Sequence, residues 1–274
     1  MTTLHTAANT IPNRHSKTDE VARGLQVEGL RVEFGGLVAV DGVSLVAPEG
    51  RITGLIGPNG AGKTTTFNAC SGMLRPTAGS VRLFDADVTA LGVAPRARLG
   101  LGRTFQRMEL FDSMTVLENV ALGLEAGRVG ASIGRHLFAS RAARAELAEA
   151  SREAIELCGI ADIAERATGA LSTGQRRLVE LARVLAGRFH ILLLDEPSSG
   201  LDADETRAFG DIIEAVVAER GVGILVVEHD MSLVMRVCSH LFVLDFGVPI
   251  FDGTPAEVRA SEVVRAAYLG SEAG

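Results

Sequence analysis

The sequence predicts an α/β domain with a parallel sheet at its core, and three observations carry that prediction. An apolar run, Ile52-Thr-Gly-Leu-Ile56, leads directly into the glycine-rich stretch Gly57-Pro-Asn-Gly-Ala-Gly-Lys-Thr64. Two more apolar runs, His190-Ile-Leu-Leu-Leu194 and Gly223-Ile-Leu-Val-Val227, are separated by a helical pattern around Glu205 to Arg220. Strands joined through a helix in this way lie parallel and are covered on both faces. Third, the character from Met108 to about Thr168 turns mostly helical, as expected of a helical subdomain inserted into the α/β domain.

The chain opens with a polar stretch, Met1 to about Arg23, that lacks the apolar centre of a signal peptide and reads as a disordered extension. Leu25-Gln-Val-Glu-Gly-Leu-Arg-Val-Glu-Phe34 alternates apolar and polar residues, the period of a half-exposed strand. Gly35-Gly36 turns the chain, and Ala39-Val40 with Val43-Ser-Leu-Val46 forms the returning strand. Pro48-Glu-Gly50 makes the next turn into the buried strand before the glycine-rich loop. A helix follows that loop, then Gly72, the turn Pro76-Thr-Ala-Gly79, and a short strand Ser80-Val-Arg-Leu-Phe84. The opening third therefore mixes antiparallel strands with the strand that bears the loop.

In the helical portion, Ser140 to Ile160 puts Ala143, Leu147, Ala150, Ala154 and Leu157 on one face, with a charged remainder facing solvent. Gly127 to Gly134 contains three glycines and reads as a flexible connection.

Composition narrows the function. The 274 residues are 47% hydrophobic with no Trp and one Tyr, so the core is aliphatic. A formal net charge of −7 removes the electrostatic case for nucleic-acid binding. Cys70, Cys158 and Cys238 lie far apart without metal-ligand spacing and read as free buried thiols of a reducing compartment. No apolar run approaches the roughly 18 residues of a spanning helix, which leaves a cytosolic protein or one held at a membrane by partners.

The glycine-rich stretch fits G-x-x-x-x-G-K-[ST], the phosphate-binding loop between a strand and a helix. Gly57, Gly60 and Gly62 let successive N–H groups converge on an anion. Lys63 supplies a point charge for the β- and γ-phosphates, the Thr64 hydroxyl is placed to ligate Mg²⁺, and the helix contributes its positive end. Ile191-Leu-Leu-Leu-Asp-Glu-Pro197 ends a buried strand in two carboxylates. Asp195 stands at the carboxyl end of that strand, where parallel sheets bind ligands, and suits Mg²⁺; Glu196 comes next as a base for an attacking water. Leu171-Ser-Thr-Gly-Gln175 opens another helix, with Ser172 as an N-cap or, with the Gly174 N–H, as a second phosphate grip. That second grip acts on the same nucleotide or on one held by a neighbouring molecule.

The phosphate loop, Leu171-Ser-Thr-Gly-Gln175, Leu194-Asp-Glu-Pro197 and Val227-Glu-His-Asp230, in this order, resemble an ABC-transporter ATP-binding subunit. The resemblance covers about Leu25 to Gly270, and a five-residue signature beside a phosphate loop is highly specific. Arg103-Thr-Phe-Gln106, Glu228-His-Asp-Met-Ser-Leu-Val-Met235 and the ending Ala267-Tyr-Leu-Gly270 are similar to the first ATPase of high-affinity branched-chain amino-acid importers. It implies an ABC-type P-loop NTPase over residues 24–270, with a mixed sheet core, an antiparallel β subdomain, helices inserted at about 107–170 and a tail at 271–274.

Roles follow from the resemblance residue by residue. It makes Glu196 the catalytic glutamate, His229 the switch histidine and Gln106 the glutamine that binds water and Mg²⁺ and senses the membrane partner. Lys63 joins them in catalysis, and Thr64, Gln106 and Asp195 form the Mg²⁺ set. Phe34 matches the aromatic that stacks on adenine, with Val40, Gly57, Pro58, Asn59, Gly60, Ala61, Gly62, Lys63, Thr64 and Thr65 around the nucleotide. Ser172, Gly174, Gln175 and the D-loop residue Asp202 act across a head-to-tail dimer. Thr173 stands where the family usually has glycine, and Phe34 where tyrosine is usual; neither change threatens hydrolysis.

The implied cofactors are ATP and Mg²⁺. The implied partners are two transmembrane permease subunits, a second ABC ATPase and, indirectly, a solute-binding protein, with the chain peripheral on the cytoplasmic face of the membrane. A urea or amide importer and a lipopolysaccharide exporter use similar subunits. Soluble ABC ATPases of ribosomes or DNA ends fit less well, since this chain has one cassette, an acidic balance and too short a gap between loop and signature for a coiled coil.

Overall fold

The computed structural model describes residues 23–104, 109–128 and 141–271. Strands β1 (Gly24–Phe34) and β2 (Leu37–Pro48) form the expected hairpin, turning through Gly35 and Gly36 at φ 54° and 88°. The buried strand β3 (Ile52–Ile56) runs into α1 (Lys63–Ser71), followed by β4 (Ala78–Leu83) and the short β5 (Ala86–Asp87). Next come α2 (Val93–Arg98), β6 (Leu101–Arg103), α3 (Val116–Arg128), α4 (Arg141–Leu157) and α5 (Thr173–Ala186). The α/β order then resumes with β7 (Ile191–Asp195), α6 (Ala203–Arg220), β8 (Gly223–Val227) and α7 (Met231–Val237). The chain closes with β9 (His240–Asp245), β10 (Val248–Gly253), α8 (Pro255–Ala260) and α9 (Glu262–Ser271).

Two sheets result. The first is antiparallel, in the order β2-β1-β4-β5; the second runs β10-β9-β3-β8-β7-β6, parallel except for the antiparallel edge strand β10. Alternation along the central strands sorts side chains onto two faces. Leu55, Ile191, Leu193, Leu225 and Val227 pack with the antiparallel sheet and α1, through Val27, Leu45, Val81 and Phe67. Ile52, Ile56, Leu192, Leu194, Ile224 and Val226 pack on the helical side. Both faces are covered as expected, but one of them by a sheet. The order β3-β8-β7 places the carboxyl ends of those strands side by side, so the loops after them share one edge.

The helical portion is present, with details that differ from expectation. Ala150 and Ala154 are buried on α4 with Leu147 and Leu157 partly so; the side chain of Ala143 lies outside the described residues. The glycine-rich connection was expected from Gly127, but α3 continues through it to Arg128, and 129–140 lie outside the described residues. The same holds for residues 1–22 and 272–274. Buried Asn119 joins the start of α3 to the approach to α5, donating to the Phe111 and Thr115 carbonyls and to the Thr168 hydroxyl at 3.1, 3.0 and 3.3 Å.

All three cysteines are free and buried, and burial pushes each thiol up to about 12. Among the described residues no helix is long and apolar enough to cross a membrane.

Candidate functional site

The phosphate loop leaves β3 at Gly57 and enters α1 after Gly62. Gly57, Gly60 and Gly62 hold φ of 152°, 80° and 90°, which L side chains rarely adopt. Space restricts two of them further. A Cβ on Gly57 would run into the Leu244 carbonyl, and one on Gly62 would sit 2.9 Å from the Ala39 carbonyl oxygen. Around Gly60 there is open space, on the mouth of the loop. Gly62 caps α1 without a side-chain hydrogen bond, so no side chain competes with an anion for the first N–H groups. The Lys63 ammonium donates to the Gly57 and Pro58 carbonyls at 2.7 and 2.8 Å. Burial lowers its pKa, and the charge of Glu196 opposes that shift.

Asp195 and Glu196 close β7. The Asp195 carboxylate is 3% exposed and meets the Arg103 guanidinium at 3.2 Å. Burial raises its pKa, and Arg103 pulls the other way. Arg103 is itself fixed over the Phe67 ring at 4.7 Å and donates to Asn68 Oδ1 and Ser71 Oγ. Glu196 takes φ 45°, a left-handed conformation that costs a non-glycine residue of order 1–3 kcal/mol and persists only where its surroundings impose it. Its N–H donates to the Val227 carbonyl at 2.8 Å, tying the end of β7 to the end of β8. His229 follows β8 with Nδ1 4.0 Å from Glu196 and 3.7 Å from Glu228.

The loop from Asn59 onward and Glu196 open on one cavity of about 530 Å³, lined by Leu37, Val38, Ala39, Asn59 to Thr65, Glu196 and Phe246; Gly57, Pro58, Asp195 and His229 are not among its lining residues. The cavity can receive a polyanion at the loop and present a carboxylate to it. Thr64 on the cavity wall and Asp195 at the end of β7 supply hard oxygen donors, the type that suits Mg²⁺, which keeps several waters and shares phosphate oxygens.

Other expected residues sit apart. Ser172 caps α5, accepting from the Gln175 N–H at 3.2 Å, while Gln175 reciprocates to the Ser172 N–H at 3.2 Å. Gly174 is buried, and a Cβ there would strike the Glu205 carboxylate. Asp202 caps α6 through the Asp204 and Glu205 N–H groups. None of Ser172, Gly174, Gln175 and Asp202 lines the phosphate-loop cavity. Thr173 starts α5 with helical backbone, so the glycine usual at that place is not required here.

Val40 is buried against Gly62. Phe34 ends β1, half exposed, and is not among the cavity-lining residues; Leu37, Val38 and Phe246 are. Gln106 lies outside the described residues. Three site neighbours were missed from sequence. Phe246 is 88% exposed at φ 45°, in the β9–β10 turn, and carries no periodic signal. Arg103 and Glu228 were quoted only within longer motifs, and their contacts need the sheet order to become visible.

Residues 40–199 match the family model for the ABC transporter, and residues 248–274 match that of the branched-chain amino acid ATP-binding cassette transporter. The chain is 40% identical over 249 residues to the high-affinity branched-chain amino acid transport ATP-binding protein BraF of Pseudomonas aeruginosa, covering 90% of this chain and 97% of the relative. LivG of Escherichia coli, with the same description, is 38% identical over 250 residues, with the same coverage. Among solved structures, the ADP conformation of MJ1267, an ATP-binding cassette of an ABC transporter, superposes with a TM-score of 0.79 at 30% identity, over 90% of this chain and 98% of that one. The dimeric structure of MJ0796, a bacterial ABC transporter cassette, gives 0.70 at 25% identity, over 84% and 98%.

Proposed function

The chain belongs to the ABC-transporter ATPases, and from that membership we propose that it energises import of branched-chain amino acids as one cassette of a head-to-tail pair. One observation carries the mechanism: Lys63 and Glu196 meet in one cavity, whereas Ser172 and Gly174 lie outside it. Each chain thus owns two half-sites, the phosphate loop and the signature, and a second cassette completes each pocket. The match at 248–274 and the descriptions of BraF and LivG support the cargo.

Within the pocket, the loop N–H groups and Lys63 hold the β- and γ-phosphates; the ammonium exchanges its present carbonyl partners for phosphate oxygens. Ser172 and the Gly174 N–H of the opposite cassette grip the γ-phosphate from the other side, so ATP bridges the two chains. Glu196 orients the attacking water and draws off its proton, and His229 with Lys63 stabilises charge on the transferring phosphoryl. Thr64, Asp195 and Gln106 would hold Mg²⁺, which would neutralise phosphate charge. Family resemblance assigns Phe34 and Val40 to the base and ribose side, where Leu37, Val38 and Phe246 form the cavity wall. Loss of the γ-phosphate removes the bridge and lets the cassettes part.

Permease subunits are assigned to the groove of about 320 Å³ between α2, β6, α3 and α5. Val93, Ala97, Leu101 and Phe189 give it an apolar floor, and Thr104 and Glu109 flank the segment that contains Gln106. A partner seated there touches both the helical subdomain and the approach to the catalytic loop.

Purification of the tagged chain from native membranes tests the assignment. It is expected to recover two integral membrane subunits and a second, related cassette. Recovery with no integral membrane protein would overturn the transporter reading.

A further inference from the structure

Glu228 is wholly buried, yet it is a carboxylate that the mechanism leaves unused. Its two oxygens are occupied by backbone donors from two different loops. Oε1 accepts the Ser198 N–H at 2.8 Å, from the turn after β7. Oε2 accepts the His229 and Asp230 N–H groups at 3.0 and 3.2 Å, from the turn after β8. A buried carboxylate that accepts three N–H groups is held closely in place, because displacing it leaves the buried Ser198 N–H without its acceptor and its own charge less well satisfied.

Consider what those donors belong to. Ser198 is two residues beyond Glu196, and the Ser199 N–H closes that turn onto the Glu196 carbonyl at 3.1 Å. Glu196 is held at φ 45°, which needs fixed points on both sides. One fixed point is the bond from its own N–H to the Val227 carbonyl. The other is Ser198 on Glu228. The same carboxylate orders the backbone at His229, whose ring faces Glu196. We infer that Glu228 is the positioning residue of the hydrolytic centre: it clamps the Glu196 turn and the His229 turn to each other and so sets the geometry between base and switch. This deepens the proposed function and rests on the roles given there to Glu196 and His229.

The three hydrogen bonds of Glu228 go to Ser198, His229 and Asp230 and none to Lys63 or the phosphate loop, so its loss is expected to fall on turnover more than on binding. Glu228→Gln keeps the size of the side chain but replaces one acceptor oxygen by an NH₂ group that faces an N–H donor. In the full chain, Glu228→Gln is expected to lower kcat by about tenfold or more while leaving the KM for ATP within about twofold. Glu228→Asp restores two acceptor oxygens on a shorter stem and is expected to recover part of the lost kcat. Should Glu228→Gln fail to fold, the kcat and KM of Glu228→Asp carry the test, with the loss again confined to kcat.

Wild-type kcat in Glu228→Gln would overturn the inference. So would a loss shared between kcat and ATP binding that tracks a fall in melting temperature, since that marks a merely structural residue. Glu196→Gln is measured alongside. If it too turns over ATP normally, the roles given to the centre fail; if it is inactive while Glu228→Gln is normal, the clamp alone fails.

Discussion

Glu196→Gln is expected to bind ATP as the wild type does, to accumulate the closed two-cassette state, and to hydrolyse roughly 10²–10⁴-fold more slowly, the range a positioned general base contributes. The amide keeps the shape of the side chain and the backbone bond to Val227, so the loop stays in place and only the proton acceptor is lost. Binding survives because the phosphates are held by the loop and by Lys63, whose charge no longer has a carboxylate beside it. Steady-state hydrolysis with a size measurement in ATP checks both halves of the expectation. Turnover near wild type would reassign the base.

Ser172→Asp separates two jobs that one hydroxyl performs. As an N-cap, Ser172 accepts from the Gln175 N–H, and Asp caps as well as Ser, with an added favourable interaction at the helix N-terminus. The melting temperature is therefore expected to hold. As a grip on the γ-phosphate, however, an aspartate sets an anion against an anion where a donor belongs. Hydrolysis is expected to fall by at least about a hundredfold, the scale of losing one transition-state donor. Ser172→Ala behaves in the reverse order of cause, losing about 1 kcal/mol of cap stability as well as the donor. Normal hydrolysis by a stable Ser172→Asp variant would reduce Ser172 to a cap.

The parts of the molecule legible in sequence are those where burial writes a plain pattern. The strands β3, β7 and β8 are buried on both faces, so each reads as a short apolar run, and each delivers its loop at the residue where the run ends. Other elements gave no such signal. The strand β6 has three residues, and β10 carries Pro249, which a ladder tolerates only at an edge, where this strand lies. β9 is only partly buried, and the short helix α7 before it leaves no long helical pattern to set it apart in the sequence. Its place beside β3 is what closes Gly57 against Leu244.

The candidate site was legible as residue types and not as distances. Asp195 was read as an oxygen donor; its ion pair with Arg103, 92 positions away in sequence, depends on β6 lying next to β7. Glu228 was read as one letter before a histidine, and only the adjacency of β7 and β8 brings Ser198 to it. Thr173 departs from the family pattern at a place whose helical backbone does not need glycine.

ATP turnover per chain, followed from dilute to concentrated protein while sedimentation reports the assembly state, bears most directly on pockets shared between cassettes. Turnover is expected to vanish in the monomer and to rise in step with the paired form, whether the pair is two copies or this chain with a related cassette. Constant turnover per chain, maintained in a demonstrated monomer, would contradict the account.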